Sequence, residues 1–90
     1  MTKEKTSLFP EDKVLEDQGK NLILFNDEVN SFDYVIESLV EVCDHTFEQA
    51  ETCAWIAHFK GKCAVKSGSD EELRPYKAEL INRKLTVSIE

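Results

Sequence analysis

The chain has 90 residues, of which 18 are Asp or Glu and 11 are Lys or Arg, for a formal net charge of −7. That length holds at most one domain with a modest core and little room for an enclosed active site. The acidic balance argues against nucleic-acid binding, which needs a basic footprint, and favours basic or amino-terminated partners. No stretch approaches the roughly 18 apolar residues of a membrane span, so no membrane role is expected. No signal peptide is visible at Met1, and the three cysteines are an odd number, so a reduced, cytoplasmic protein is expected.

Residues 1–19 are charged and aperiodic, with isolated apolar positions, and read as a flexible tail that offers no face large enough to offset the entropy of ordering it. The domain is expected over residues 20–90. Leu22-Ile23-Leu24-Phe25 reads as a strand over residues 20–26 that ends in Asn26-Asp27-Glu28. Phe32, Val35, Ile36, Leu39, Val40 and Cys43 follow the spacing of an amphipathic helix, with Asn30 or Ser31 available to cap it. Asp44-His45 breaks that pattern. Thr46 and Gln49 form a capping box for a second helix that runs to about His58-Phe59 and stops at Gly61. Its five consecutive apolar residues, Cys53 to Ala57, suggest a helix covered on more than one side.

Residues 62–66 alternate as a short strand. Ser69 and Glu72 form another capping box, and the helix they open reaches about Arg83, either kinked at Pro75 or beginning there. Leu85, Val87 and Ile89 alternate with polar residues as a closing strand. The order βααβαβ predicts a compact α+β domain in which a small three-stranded sheet packs against three helices.

Cys43, Cys53 and Cys63, with His45 and His58, supply enough donors to raise zinc, but the spacing lacks the paired ligands of the usual knuckles. They read better as small buried hydrophobes, with no metal or cofactor. A cysteine nucleophile with a histidine base is formally available, yet no motif marks an oxyanion hole or a site that stabilises a thiolate. No catalytic residue is assigned. His58 alone reads as a structural cap, since an imidazolium suits a helix C-terminus, and Asn26-Asp27-Glu28 alone reads as a turn.

Together they read differently. A strand end and a helix end are close neighbours in so small a domain. They would bring an amide oxygen, a carboxylate and an imidazole nitrogen around a point beside apolar Phe32 and Val35. An ammonium group, with its charge and three donors, wants such a set of acceptors. The pattern suits a receptor for the first residue of a polypeptide.

The stretches ILFNDEVNSFDYVIESL and FEQAETCAWIAHFKGKC, followed by a third helix and LTVSIE, resemble the ClpS family of protease adaptors over about residues 20–90. The anchors are Asn26-Asp27-Glu28 at the strand end and His58-Phe59-Lys60-Gly61-Lys62 at the helix end. The resemblance implies a non-catalytic adaptor of the N-degron pathway. Such a protein binds substrates that begin with Leu, Phe, Tyr or Trp and delivers them to the N-terminal domain of a Clp-family AAA+ unfoldase. By similarity, Asn26, Asp27 and His58 hold the α-amino group. Asn30, Phe32, Val35, Ala54 and Leu85 line the side-chain pocket, and the tail engages the unfoldase during delivery.

Relatives usually carry an aliphatic residue at the position of Phe32 and a larger one at that of Ala54. The implied pocket is therefore displaced rather than closed, with an altered ranking of first residues. A monomer is expected. The alternative is an acidic protein-interaction domain of ribosomal-stalk-like fold, which needs no such pocket.

Overall fold

In the computed structural model, which describes residues 19–90, the elements are β1 (Lys20–Phe25), α1 (Phe32–Cys43), α2 (Phe47–Lys60), β2 (Lys62–Gly68), α3 (Asp70–Asn82) and β3 (Val87–Ile89). The order and the α+β class agree with the sequence reading. The expected tail, residues 1–19, lies outside the described residues except for Gly19.

β1 is the central strand of a three-stranded antiparallel sheet ordered β2-β1-β3. Alternation puts Leu22 and Leu24 on one face of it, where they join Val65, Val87 and the apolar faces of the helices in a single core. That core is closed by Ile36 and Leu39 of α1, Ala50, Ala54 and Ala57 of α2, and Leu73 and Leu80 of α3. Between β1 and β2 the register slips: Leu22 faces Lys66 and Ile23 faces Ala64, so Val65 is an extra residue in the ladder. Its carbonyl is taken by the Nε2 of His45 at 2.7 Å, which ties the α1–α2 connection to the sheet.

The helix ends follow the side-chain chemistry foreseen for them. Ser31, not Asn30, caps α1 by accepting from the Tyr34 amide, and Asp44 closes that helix in the left-handed region at φ 59°. Reciprocal capping boxes open α2 at Thr46 and Gln49 and α3 at Ser69 and Glu72. α3 begins at Asp70, so Pro75 lies inside it rather than at its start. The proline removes the amide that would bond the Glu71 carbonyl one turn back.

One expectation is overturned. The apolar run from Cys53 to Ala57 is not covered on several sides: Ala54 and Ala57 are buried, but Trp55 is 45% exposed and Ile56 36% exposed. The core-facing stripe of α2 is made of the alanines Ala50, Ala54 and Ala57, and among the described residues no further layer packs over the opposite side. β3 is also shorter than the alternation suggested, because Leu85 precedes it as a buried core residue.

Candidate functional site

The exit of β1 is stitched on both sides. The Phe25 amide donates to the Thr86 carbonyl at 2.9 Å, and the Asn26 amide donates to the Gly61 carbonyl at 2.9 Å. Gly61 is the left-handed residue that ends α2 at φ 95°. The second bond brings the end of the strand to the end of the helix that carries His58.

Beyond Asn26 the chain folds around the Asp27 carboxylate. Its Oδ1 accepts from the amides of Val29 at 2.9 Å and Asn30 at 2.8 Å, and its Oδ2 accepts from the Asn30 side-chain Nδ2 at 2.9 Å. Burial by itself would raise the pKa of Asp27. The hydrogen bonds from the Asn30 amide, the Asn30 side chain and the Val29 amide outweigh it and hold the group below its usual value. A carboxylate has about four acceptor positions, and these three donors leave one for an incoming group.

Asn30 is held as firmly. Its Nδ2 also donates to the Lys84 carbonyl at 2.9 Å, so both amide hydrogens are committed and its Oδ1 is left as an acceptor. The Tyr34 hydroxyl donates to the Arg83 carbonyl at 2.9 Å, which fastens the start of α1 to the same turn before β3. The loop between β1 and α1 is therefore braced from both ends.

These segments enclose a hollow of about 290 Å³ lined by Leu24, Phe25, Asn26, Asp27, Glu28, Asn30, Phe32, Val35, Ala54, Ala57 and His58. Seven of the eight site residues named from the sequence meet there: Asn26, Asp27, Asn30, Phe32, Val35, Ala54 and His58. Leu85 is not among the lining residues; it is 4% exposed and packs in the core. Leu24, Phe25, Glu28 and Ala57 line the hollow as well. Ala57 had a sequence signal, since it sits one turn beyond Ala54 on the same face of α2, whereas Leu24 and Phe25 are reached only once β1 is placed beside the helices.

The lining of the hollow combines polar and apolar side chains. Asn26, Asp27, Glu28 and His58 bring oxygen and nitrogen acceptors, while Phe32, Val35, Ala54 and Ala57 form hydrocarbon walls. His58 is exposed at the surface, edge-on to the Phe59 ring with centroids 5.0 Å apart. The ring of Phe32 lies 4.5 Å from that of Trp55, so it leans on α2 as well as lining the hollow.

Other features are poorer candidates. A broader, shallower groove of about 800 Å³ runs between α1, β2 and α3, but its two cations are already engaged within the protein. Arg83 pairs with Glu41 at 2.8 Å, and the Lys66 ammonium lies 4.6 Å from the centre of the Tyr76 ring. Cys43 is buried, and Cys53 and Cys63 are half-buried. Burial, reinforced by the neighbouring Cys63, pushes the Cys53 thiol up to about 12, the opposite of what a nucleophile requires. Among the described residues no three His, Cys, Asp or Glu side chains gather as a metal site, and no helix is long and apolar enough to cross a membrane.

The family model described as ATP-dependent Clp protease adaptor protein ClpS matches residues 16–88. The chain belongs to the ClpS family. Among solved structures, Agrobacterium tumefaciens ClpS2, described as bound to L-phenylalaninamide, is similar with a TM-score of 0.73 and 16% identity. The likeness covers 82% of this chain and 96% of that one, and at such low identity it speaks for the ClpS fold. No curated protein sequence matches significantly.

Proposed function

We propose that this ClpS-family protein is a non-catalytic adaptor that recognises the free α-amino group and large apolar first side chain of N-degron substrates. It then passes them to the N-terminal domain of a Clp AAA+ unfoldase. The observation that carries this reading is the convergence of Asn26, Asp27 and His58 on one hollow walled by Phe32, Val35 and Ala54. The ligand described for the similar ClpS2 structure, an amino acid amide with a free amine and a phenyl ring, has both features that such a hollow would hold.

The physics runs in the same direction. An N-terminal amine has a pKa of about 7.7–8.0 and is mostly charged at neutral pH. Asp27 supplies Coulombic attraction, Asn26 an oriented amide oxygen, and His58 in its neutral form a lone pair. The first side chain packs against Phe32, Val35 and Ala54, where full burial of a Leu or Phe contributes about 1.5–3 kcal/mol. Phe32 on one wall and small Ala54 on the other displace the pocket, so its ranking of Leu, Phe, Tyr and Trp differs from that of relatives with the opposite arrangement. Residues 20–90 serve as the recognition domain and residues 1–19 as the segment that engages the unfoldase, in a monomeric, cytoplasmic protein.

Calorimetry with a Phe-initiated peptide and its N-acetylated twin tests the reading. Acetylation removes the charge and two of the donors, so the twin should show no measurable binding. Equal affinity for both peptides would overturn the proposal, and so would no binding of either. An interaction domain of ribosomal-stalk type would be indifferent to Asp27→Ala and His58→Ala.

A further inference from the structure

Apolar side chains held in the open beside a pocket point to a surface that something covers. Three rings form a continuous strip on α2 and the start of α1. Trp55 stacks on Phe59, one turn along the helix, with centroids 5.2 Å apart and planes 11° from parallel, and the Phe32 ring lies 4.5 Å from that of Trp55. Trp55 is 45% exposed and Phe59 73% exposed, so the stacked pair presents its outer surface to solvent. The strip is continuous with the hollow, because Phe32 and His58 belong to both: His58 lies 6.0 Å from the Trp55 ring and 5.0 Å from that of Phe59.

An extended peptide supplies a side chain to such a shelf at a fixed interval. Residues i and i+2 of an extended chain point to the same side, about 6.6 Å apart. With the first side chain in the hollow, the second points away and the third returns to the protein surface one such step further on. The Trp55 ring, whose centroid is 4.5 Å from that of the wall residue Phe32, is the apolar surface adjoining the hollow on that side.

We propose that Trp55 and Phe59 form a second recognition element that holds the third side chain of a bound substrate and favours an aromatic residue there. This deepens the reading of the hollow as an α-amino site and rests on it. The shelf is a specificity determinant, and the first residue remains the primary requirement. A stacked or edge-to-face contact with a half-exposed ring corresponds to a preference of about three- to tenfold.

The test uses the full chain and peptides of sequence Phe-Ala-X with a common tail, where X is Phe, Ala or Glu, beside the Phe-X-Ala series and N-acetylated controls. Calorimetry should rank Phe above Ala above Glu at the third position, with about three- to tenfold between Phe and Ala. The second position should show little preference. Trp55→Ala and Phe59→Ala should each flatten the third-position ranking while N-acetylation still abolishes binding, and Trp55→Phe should keep most of it. Trp55 is the only tryptophan of the chain, so its emission should change more with X as Phe than with X as Ala.

A flat third-position ranking in the unaltered protein would overturn the proposal while leaving the α-amino site intact. So would a ranking that survives loss of both rings, or one found only at the second position. A change of oligomeric state on Trp55→Ala, without a change in ranking, would assign the strip to a second copy of the chain instead. Free and acetylated peptides binding alike would remove the pocket and the shelf together.

Discussion

Replacing Asp27 by Asn separates the two tasks that the structure lays on one carboxylate. In the protein, Oδ1 holds the amides of Val29 and Asn30, and Oδ2 holds the Asn30 side chain, which in turn holds Lys84. An Asn side chain keeps one oxygen. If that oxygen stays on the two main-chain amides, the new NH₂ group faces the Asn30 Nδ2, donor against donor. If Asn30 turns over to accept, it loses the bond to the Lys84 carbonyl. Either way one link of the chain breaks, a loss of about 1–2 kcal/mol of stability, since the acceptor was charged but the site is partly solvated. Binding should suffer more. Removing the counter-charge from a desolvated ammonium costs about 2–5 kcal/mol, or about 30-fold to several thousand-fold in Kd. Urea unfolding measures the first quantity, and calorimetry with a Phe-initiated peptide measures the second. A variant less stable by the stated amount that still binds within about threefold of the unaltered protein would make Asp27 a builder of the loop and nothing more. That result would sink the electrostatic argument for the site.

Acid should act through the same carboxylate. The folded-state pKa of Asp27 is depressed, so its contribution to stability is present above the unfolded value of about 3.9 and is lost as pH falls through the lower folded value. The stability gap between the unaltered protein and Asp27→Asn should therefore narrow below about pH 4, and a gap that stays constant to lower pH would contradict the sign. Ser38 is fully buried in α1 with an Oγ that finds no partner among the described residues. Ser38→Ala should raise the unfolding free energy by about 1 kcal/mol, and an equal loss in urea titration would show that the hydroxyl is satisfied after all. Gly61→Ala meets no atom within 4 Å, so its cost is torsional at φ +95°, about 1–2 kcal/mol. Because the Gly61 carbonyl holds the Asn26 amide, peptide affinity should fall with it, and unchanged affinity would show that this stitch does not position the site.

The fold was legible in the sequence wherever the signal was local. Ser31, Thr46 with Gln49, Gly61, and Ser69 with Glu72 act within a few residues of themselves, so they marked the helix ends without any knowledge of what packs where. The apolar spacing of α1 likewise named its buried face, whereas the continuous apolar run of β1 marked a strand but not which of its faces meets the helices. Pro75 was ambiguous because a proline is compatible with a helix start as well as with an interior held by its neighbours. Only the capping box at Ser69, five residues earlier in the fold than a start at Pro75 would allow, decides it.

The site divides along the same line. The sequence by itself determined the donor and acceptor types at the end of β1 and the end of α2, because side-chain chemistry belongs to the residue and not to its surroundings. Tertiary structure alone decided that Asn26 bonds Gly61 and so sits beside His58, that Asn30 spans Asp27 and Lys84, that Leu85 turns into the core, and that Trp55 stays outside. Each of these depends on which distant segment arrives at a given place, and an apolar residue carries no mark of whether a neighbour will cover it. Burial and long-range hydrogen bonding are properties of the packed chain, and they settle which of the right residues meet.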